Sequence, residues 1–188
     1  MHRRPILEIL ADYARRYPGE AAVADRFATF VAKHPDCFER TCVPGHITGS
    51  AWLISHDGGR FLLTHHRKLG RWLQLGGHAE GDPPPAEVAL REASEESGIA
   101  DLRLAVTHPI DLDAHDIPAT PTEPAHVHYD LRFLVVAPPD AVATTSPESI
   151  ELRWFDSRRP LDVPHDASVV RLRRKAEQAL ADRAPALS

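Results

Sequence analysis

A stretch of glycines, prolines and carboxylates, LGGHAEGDPPPAEVALREASEESGI, runs from Leu75 to Ile99 and leaves the chain little freedom there. Paired glycines, Gly76 and Gly77, open it, and a proline-rich turn leads into a segment dense in glutamate. Asp82 is placed to act as an N-cap, with Pro83 in the first helical position, where a missing N–H is harmless. The helix is then expected to run to about Ser97 and stop at Gly98. On such a helix Glu92, Glu95 and Glu96 stand at i, i+3 and i+4 and project from one face. Like charges at that spacing repel by about 0.2–0.5 kcal/mol per pair. A divalent cation reverses the sign, because hard Mg²⁺ or Mn²⁺ prefers carboxylate oxygen. Arg91 lies one turn from both Glu87 and Glu95, so it can orient a ligand carboxylate from behind. The plainer alternative is a solvated acidic helix face.

Around this stretch the periodicity alternates between helix and strand. Residues 5 to 34 read as two helices: Ile6, Leu10, Tyr13 and Tyr17 give one apolar stripe and Val23, Phe27, Phe30 and Val31 another. Pro18-Gly19 breaks the run and Pro35 ends it. HITGSAWLIS from His46 reads as a strand, Asp57-Gly58-Gly59 as a hairpin turn and RFLLTHH as the partner strand. A basic loop with Arg67, Lys68 and Arg71 follows. LRLAVTHPIDLD alternates as a half-buried strand, and DIPATPTEPA is a proline-rich loop suited to the rim of a pocket. HVHYDLRFLVVA is the strongest strand. Val127, Tyr129, Leu131, Phe133 and Val135 share its core face, and His126, His128 and Asp130 share the other. ELRWFD reads as a short strand. A C-terminal helix over about Asp166–Ala181 carries Val169, Leu172, Ala176 and Leu180. Strands interleaved with helices suit an α/β sandwich.

The 188 residues, 43% hydrophobic, suit one ordinary domain with a sizeable core. A formal net charge of −5 argues against a protein that coats nucleic-acid polymers. The N-terminus has neither a long apolar segment nor a small-residue cleavage site, so neither a secretory leader nor a membrane span is expected, and a cytoplasmic location is. Cys37 and Cys42 match no zinc spacing and read as reduced thiols. Twelve histidines are unusual in a chain this short. His46, His78, His126 and His128 come from three separate places, and their imidazoles are candidates for a second, transition-metal site. Hydrogen bonding to substrate or backbone is the alternative role for these rings.

The stretch from Gly77 to Ile99 resembles the Nudix box, in which a glycine and a glutamate precede the sequence Arg-Glu-(apolar)-x-Glu-Glu-x-Gly-(apolar). Gly77 matches its first glycine, and Arg91 to Ile99 match its closing half at the intact spacing. Pro83 occupies the place of the first glutamate, with Asp82 and Glu80 as the nearest carboxylates. The resemblance covers about residues 45 to 160. It implies an α/β/α sandwich with a mixed sheet, preceded by an N-terminal helical extension over residues 1–40 and occupying 41–188. It also implies an enzyme that hydrolyses a nucleoside diphosphate derivative or another small organic diphosphate with Mg²⁺ or Mn²⁺. Glu92, Glu95 and Glu96 are then metal ligands, Arg91 stands behind them, and Arg67, Lys68 and Arg71 hold the phosphates. Glu148 and Glu151 are candidate general bases. The histidine placement is also similar to that of isopentenyl diphosphate isomerase, a Nudix-fold enzyme whose catalytic cysteine falls on Gly76 here. Non-hydrolytic, isomerase-like chemistry and a catalytically silent binding module are therefore the alternative functions. Trp52, Trp72, Tyr129 and Trp154 suit either base stacking or the core. The N-terminal helices are the first candidate for a homodimer interface.

Overall fold

The structure, a computed structural model, describes residues 3–81, 84–145 and 149–183. Helices α1 (Arg4–Arg16) and α2 (Ala21–Lys33) form a hairpin across a short 3-10 turn at Pro18–Glu20. The expected stripes are buried, through Ile6, Leu10 and Tyr13 on α1 and Phe27, Phe30 and Val31 on α2. Phe30 stacks on Tyr129 with ring centroids 4.0 Å apart, and Phe27 meets the same ring edge-on at 5.2 Å. These aromatic contacts make the hairpin part of the main core.

Eight strands form one mixed sheet: β1 (Gly45–Ile54), β2 (Arg60–His66), β3 (Arg71–Leu73), β4 (Leu75–His78), β5 (Arg103–Leu104), β6 (Asp111–Ile117), β7 (His126–Val136) and β8 (Ser149–Asp156). β1 is buried along its whole length and pairs in parallel with β7, from Gly45 opposite Val127 to Ile54 opposite Val136. The remaining pairings are antiparallel: β2 and β4 with β1, β3 and β8 with β2, and β5 and β6 with β7. Side chains alternate across the sheet. Ile47, Ala51, Leu53, Leu131 and Phe133 belong to a core shared with α3 (Pro85–Ser97) and the hairpin. Trp52, Ile54, Leu63 and Leu134 pack on the other face with α4 (Ala167–Arg183).

Two sequence expectations change. The segment LRLAVTHPIDLD is not one strand, because β5 and β6 leave the ladder between Ala105 and Ile110 and rejoin the same edge of β7. Pro109 has no N–H to donate, which explains the break. Helix α3 starts at Pro85 rather than after Asp82, and Asp82 and Pro83 lie outside the described residues. Pro84 is followed by another proline and is held extended at ψ 99°, so it cannot be helical. The far end is as expected, with Gly98 in the left-handed region at φ 68° and its N–H on the Ser94 carbonyl.

Candidate functional site

Strand β4 and helix α3 meet at Gly76 and Gly77, where Glu92 and Glu96 reach the strand. The N–H of Gly76 donates to Glu96 at 3.3 Å. A Cβ on Gly77 would fall inside the carboxylate of Glu92, so glycine is what lets that side chain lie against the strand. Arg91 ties the two elements together, donating to Glu92 at 2.6 Å and to the His78 carbonyl at 2.9 Å, with Glu95 at 3.8 Å. Burial differs within the trio: the Glu92 side chain is 15% exposed and that of Glu95 63%. One carboxylate is therefore held in place while another remains open to an incoming ligand. Arg91 lies near Glu95 one turn away, as expected, and its shorter bonds are to its neighbour Glu92 and to the strand backbone.

The opposite face of the same strands is polar over much of its length. His46 pairs with His128 across the parallel ladder, and His78 pairs with Thr48, so all three rings share the face away from α3. His126 joins them, and ring centroids lie 4.8 to 5.1 Å apart in every pair except His78–His126. Burial, helped by neighbouring imidazoles, pushes His46 down to about 4 and lowers His78 and His128, so these rings are neutral near pH 7. Further along the face, Asp130 accepts from Thr48 at 3.0 Å, Ser50 at 2.8 Å and Arg132 at 2.8 Å. Arg132, 2% exposed, also reaches Asp113 at 2.9 Å. Arg171 and Lys175 of α4 close the row on Asp111 at 3.0 and 2.9 Å, and Lys175 continues to Tyr13 and Glu20 of the hairpin.

The remaining sequence candidates are distributed differently. Arg67, Lys68 and Arg71 are exposed around the β2–β3 turn, and Arg67 donates to the Ser149 carbonyl at 3.0 Å. Because β2 runs antiparallel to β1, this turn lies toward the end of the sheet where β1 begins. Glu151 is clasped by Arg153 at 2.7 and 2.9 Å, and Arg153 lies over Trp72 and Phe155 on the α4 side. The structure thus does not bring Glu151 to the carboxylates of α3. Glu148 lies outside the described residues. Trp52 and Trp72 are buried, and Tyr129 stacks within the core.

Sequence reasoning missed His115, whose ring lies 5.5 Å from His128 and whose Nδ1 is 2.9 Å from Asp113. The alternation Asp111, Asp113, His115 on one strand, against His128, Asp130, Arg132 on the next, was the available signal.

A family model described as NUDIX domain matches residues 46–173. A comparison with curated proteins finds no match. Among solved structures, the chain is similar to an Ap4A hydrolase from C. elegans in a binary complex. The TM-score is 0.57 and the identity 18%, over 72% of this chain and 98% of that one. A Nudix hydrolase from M. smegmatis, RenU, gives 0.56 at 18%, over 73% and 87%. The NUDIX domain of Shewanella oneidensis NrtR, complexed with ADP ribose, gives 0.50 at 16%, over 81% and 97%. At these identities the likeness is one of fold.

Proposed function

The chain belongs to the Nudix family, and from that premise we propose that it hydrolyses a diphosphate linkage in a nucleoside diphosphate derivative or a related organic diphosphate. The observation that carries this reading is the packing of Glu92 and Glu96 against Gly76–Gly77, with Glu95 exposed beside them. Three carboxylates at i, i+3 and i+4 of one helix suit a hard divalent ion, Mg²⁺ or Mn²⁺, and Gly77 leaves Glu92 the space to lie against the strand. When bound, such an ion neutralises charge developing on the phosphate oxygens.

In the reaction the oxygen of a water attacks one phosphorus, the bridging P–O bond breaks, and the bridging oxygen leaves with the second phosphate. The water's proton passes to solvent or to a carboxylate. Arg91 keeps Glu92 oriented through the whole cycle, because its second hydrogen bond is to backbone. Arg67, Lys68 and Arg71 are proposed to hold the substrate phosphates, as exposed cations on a turn at the right end of the sheet. The C. elegans relative is an Ap4A hydrolase and the Shewanella domain is complexed with ADP ribose, which supports an organic diphosphate as the substrate class.

An isomerase-like reading is disfavoured by space at Gly76, where a side chain would collide with Ser50 of β1 and a catalytic thiol has no room. The test is turnover of a panel with Mg²⁺ and with Mn²⁺: ADP-ribose, dinucleoside polyphosphates, nucleoside triphosphates, NADH, nucleotide sugars and coenzyme A. Turnover lost in Glu95→Gln supports the hydrolase. Thermal stabilisation by a panel member without product identifies a binding module instead.

A further inference from the structure

The carboxylate site leaves the histidine face unexplained. We infer that His46, His78 and His128, joined by His126, form a binding site for a divalent transition metal of the zinc type, separate from the carboxylates of α3. One ring nitrogen each of His46, His78 and His128 lies within 4.8 Å of the others. His126 Nε2 is 3.2 Å from His128 Nε2, close to the ~3.4 Å between two nitrogens bound about 2.1 Å from a tetrahedral ion.

His46 supplies the independent observation. It is 2% exposed, it touches the other three rings, and among the described residues neither of its ring nitrogens has a hydrogen-bond partner. The Cys42 carbonyl favours its protonated form slightly but is not in hydrogen-bonding geometry. A buried imidazole normally has a partner for at least one nitrogen, and a metal supplies one. The orientation of His126 fits as well. Its Nδ1 donates to the Pro124 carbonyl at 2.8 Å, which directs the Nε2 lone pair toward His128.

The donor type sets the class of ion. Neutral imidazoles suit zinc, copper, nickel or cobalt and are poor ligands for Mg²⁺. Charges facing the cluster are few: Arg40, paired with Glu123 at 2.5 Å, and Glu80 act on His78, and Asp113 is already engaged by Arg132, Arg171 and His115. With no carboxylate in the donor set, the site selects against the hard ions that suit α3.

The experiment uses full-length protein prepared without a histidine tag, stripped with EDTA and titrated with Zn²⁺ against a chromophoric chelator. One equivalent per chain is expected, undisturbed by excess Mg²⁺. Affinity should fall at least ten-fold in His46→Ala and in His126→Ala and persist in Glu95→Gln, whether or not the protein hydrolyses any diphosphate. The same site filled with Co²⁺ should show visible d–d absorption. Should His46→Ala fail to fold, His126→Ala at the partly exposed edge and imidazole ¹⁵N shifts of the unaltered protein decide. Concerted movement of the four rings on adding Zn²⁺ supports the site. Absence of stoichiometric Zn²⁺, unmoved ring nitrogens, or equal affinity in the histidine variants overturns it.

Discussion

The two faces of strand β4 set a carboxylate against Gly77 and an imidazole at the next residue, His78. On one side Gly77 leaves space for the Glu92 carboxylate, beside the Gly76 N–H that donates to Glu96; on the other His78 points into a cluster of imidazoles. The Glu95 side chain is open to solvent, whereas His46 is buried and burial favours the neutral forms of His46, His78 and His128. Strand alternation alone separates them, since neighbouring residues face opposite ways. On the two proposals above, a single short strand would border a hard-ion site and a softer one with no shared ligand. Arg91 links the two elements, through Glu92 and through the carbonyl of His78.

The largest effect is expected on the carboxylate side. Glu96→Gln should lower turnover by roughly 10²–10³-fold, the scale of losing one group that stabilises developing charge. Its melting temperature should stay within a few degrees of the unaltered protein. Next comes Arg91→Lys, which keeps the charge but cannot span Glu92 and the backbone together. A loss of about 10- to 100-fold in Mg²⁺ affinity, read from the metal dependence of turnover, is expected of an outer partner. If turnover falls while the metal dependence stays unchanged, Arg91 acts elsewhere.

On the imidazole side the sign reverses. His46→Leu removes a buried group with no hydrogen bond and should stabilise the EDTA-treated protein by about 1–3 kcal/mol, measured by urea denaturation. It should also abolish stabilisation by Zn²⁺. Destabilisation in EDTA would mean that His46 has a partner the account omits.

The smallest effect serves as a control outside both regions. Asp166 caps α4, accepting from Ser168 N–H at 2.9 Å and Val169 N–H at 3.1 Å. Burial opposes its charge, but these bonds and the Ser168 hydroxyl outweigh burial and hold its carboxyl below the ordinary range. Asp166→Ala should cost about 1 kcal/mol at pH 7. A lowered carboxylate contributes above its unfolded pKa of ~3.9 and loses that contribution as pH falls through the native value. The gap between variant and unaltered protein should therefore close on acidification and leave Zn²⁺ affinity unchanged.

Local patterns were the legible part of this chain. The box helix, its Gly98 stop, both N-terminal helices and the two faces of β7 follow from spacing and from glycine and proline chemistry. Helix α3 starts later than the Asp82 signal suggests, because Pro84 precedes another proline and is held extended. The strand through Pro109 was drawn too long because alternation continues in sequence where the ladder does not. The nearness of His46, His78, His126 and His128 is partly legible, since two share a strand face and two flank recognisable elements. The row from Asp130 through Arg132, Asp111 and Lys175 to Glu20 was invisible. Lys175 and Glu20 lie 155 positions apart, and only tertiary packing brings them together.

On the proposed function, diphosphate hydrolysis depends on the carboxylates of α3. The most direct test measures phosphate-anhydride turnover across the substrate panel with Mg²⁺, comparing the unaltered protein with Glu96→Gln at matched fold and concentration. The account predicts turnover of at least one organic diphosphate, dependent on added metal and reduced at least 100-fold in the variant. Turnover that survives in Glu96→Gln, or a folded protein that cleaves nothing in the panel, would contradict it.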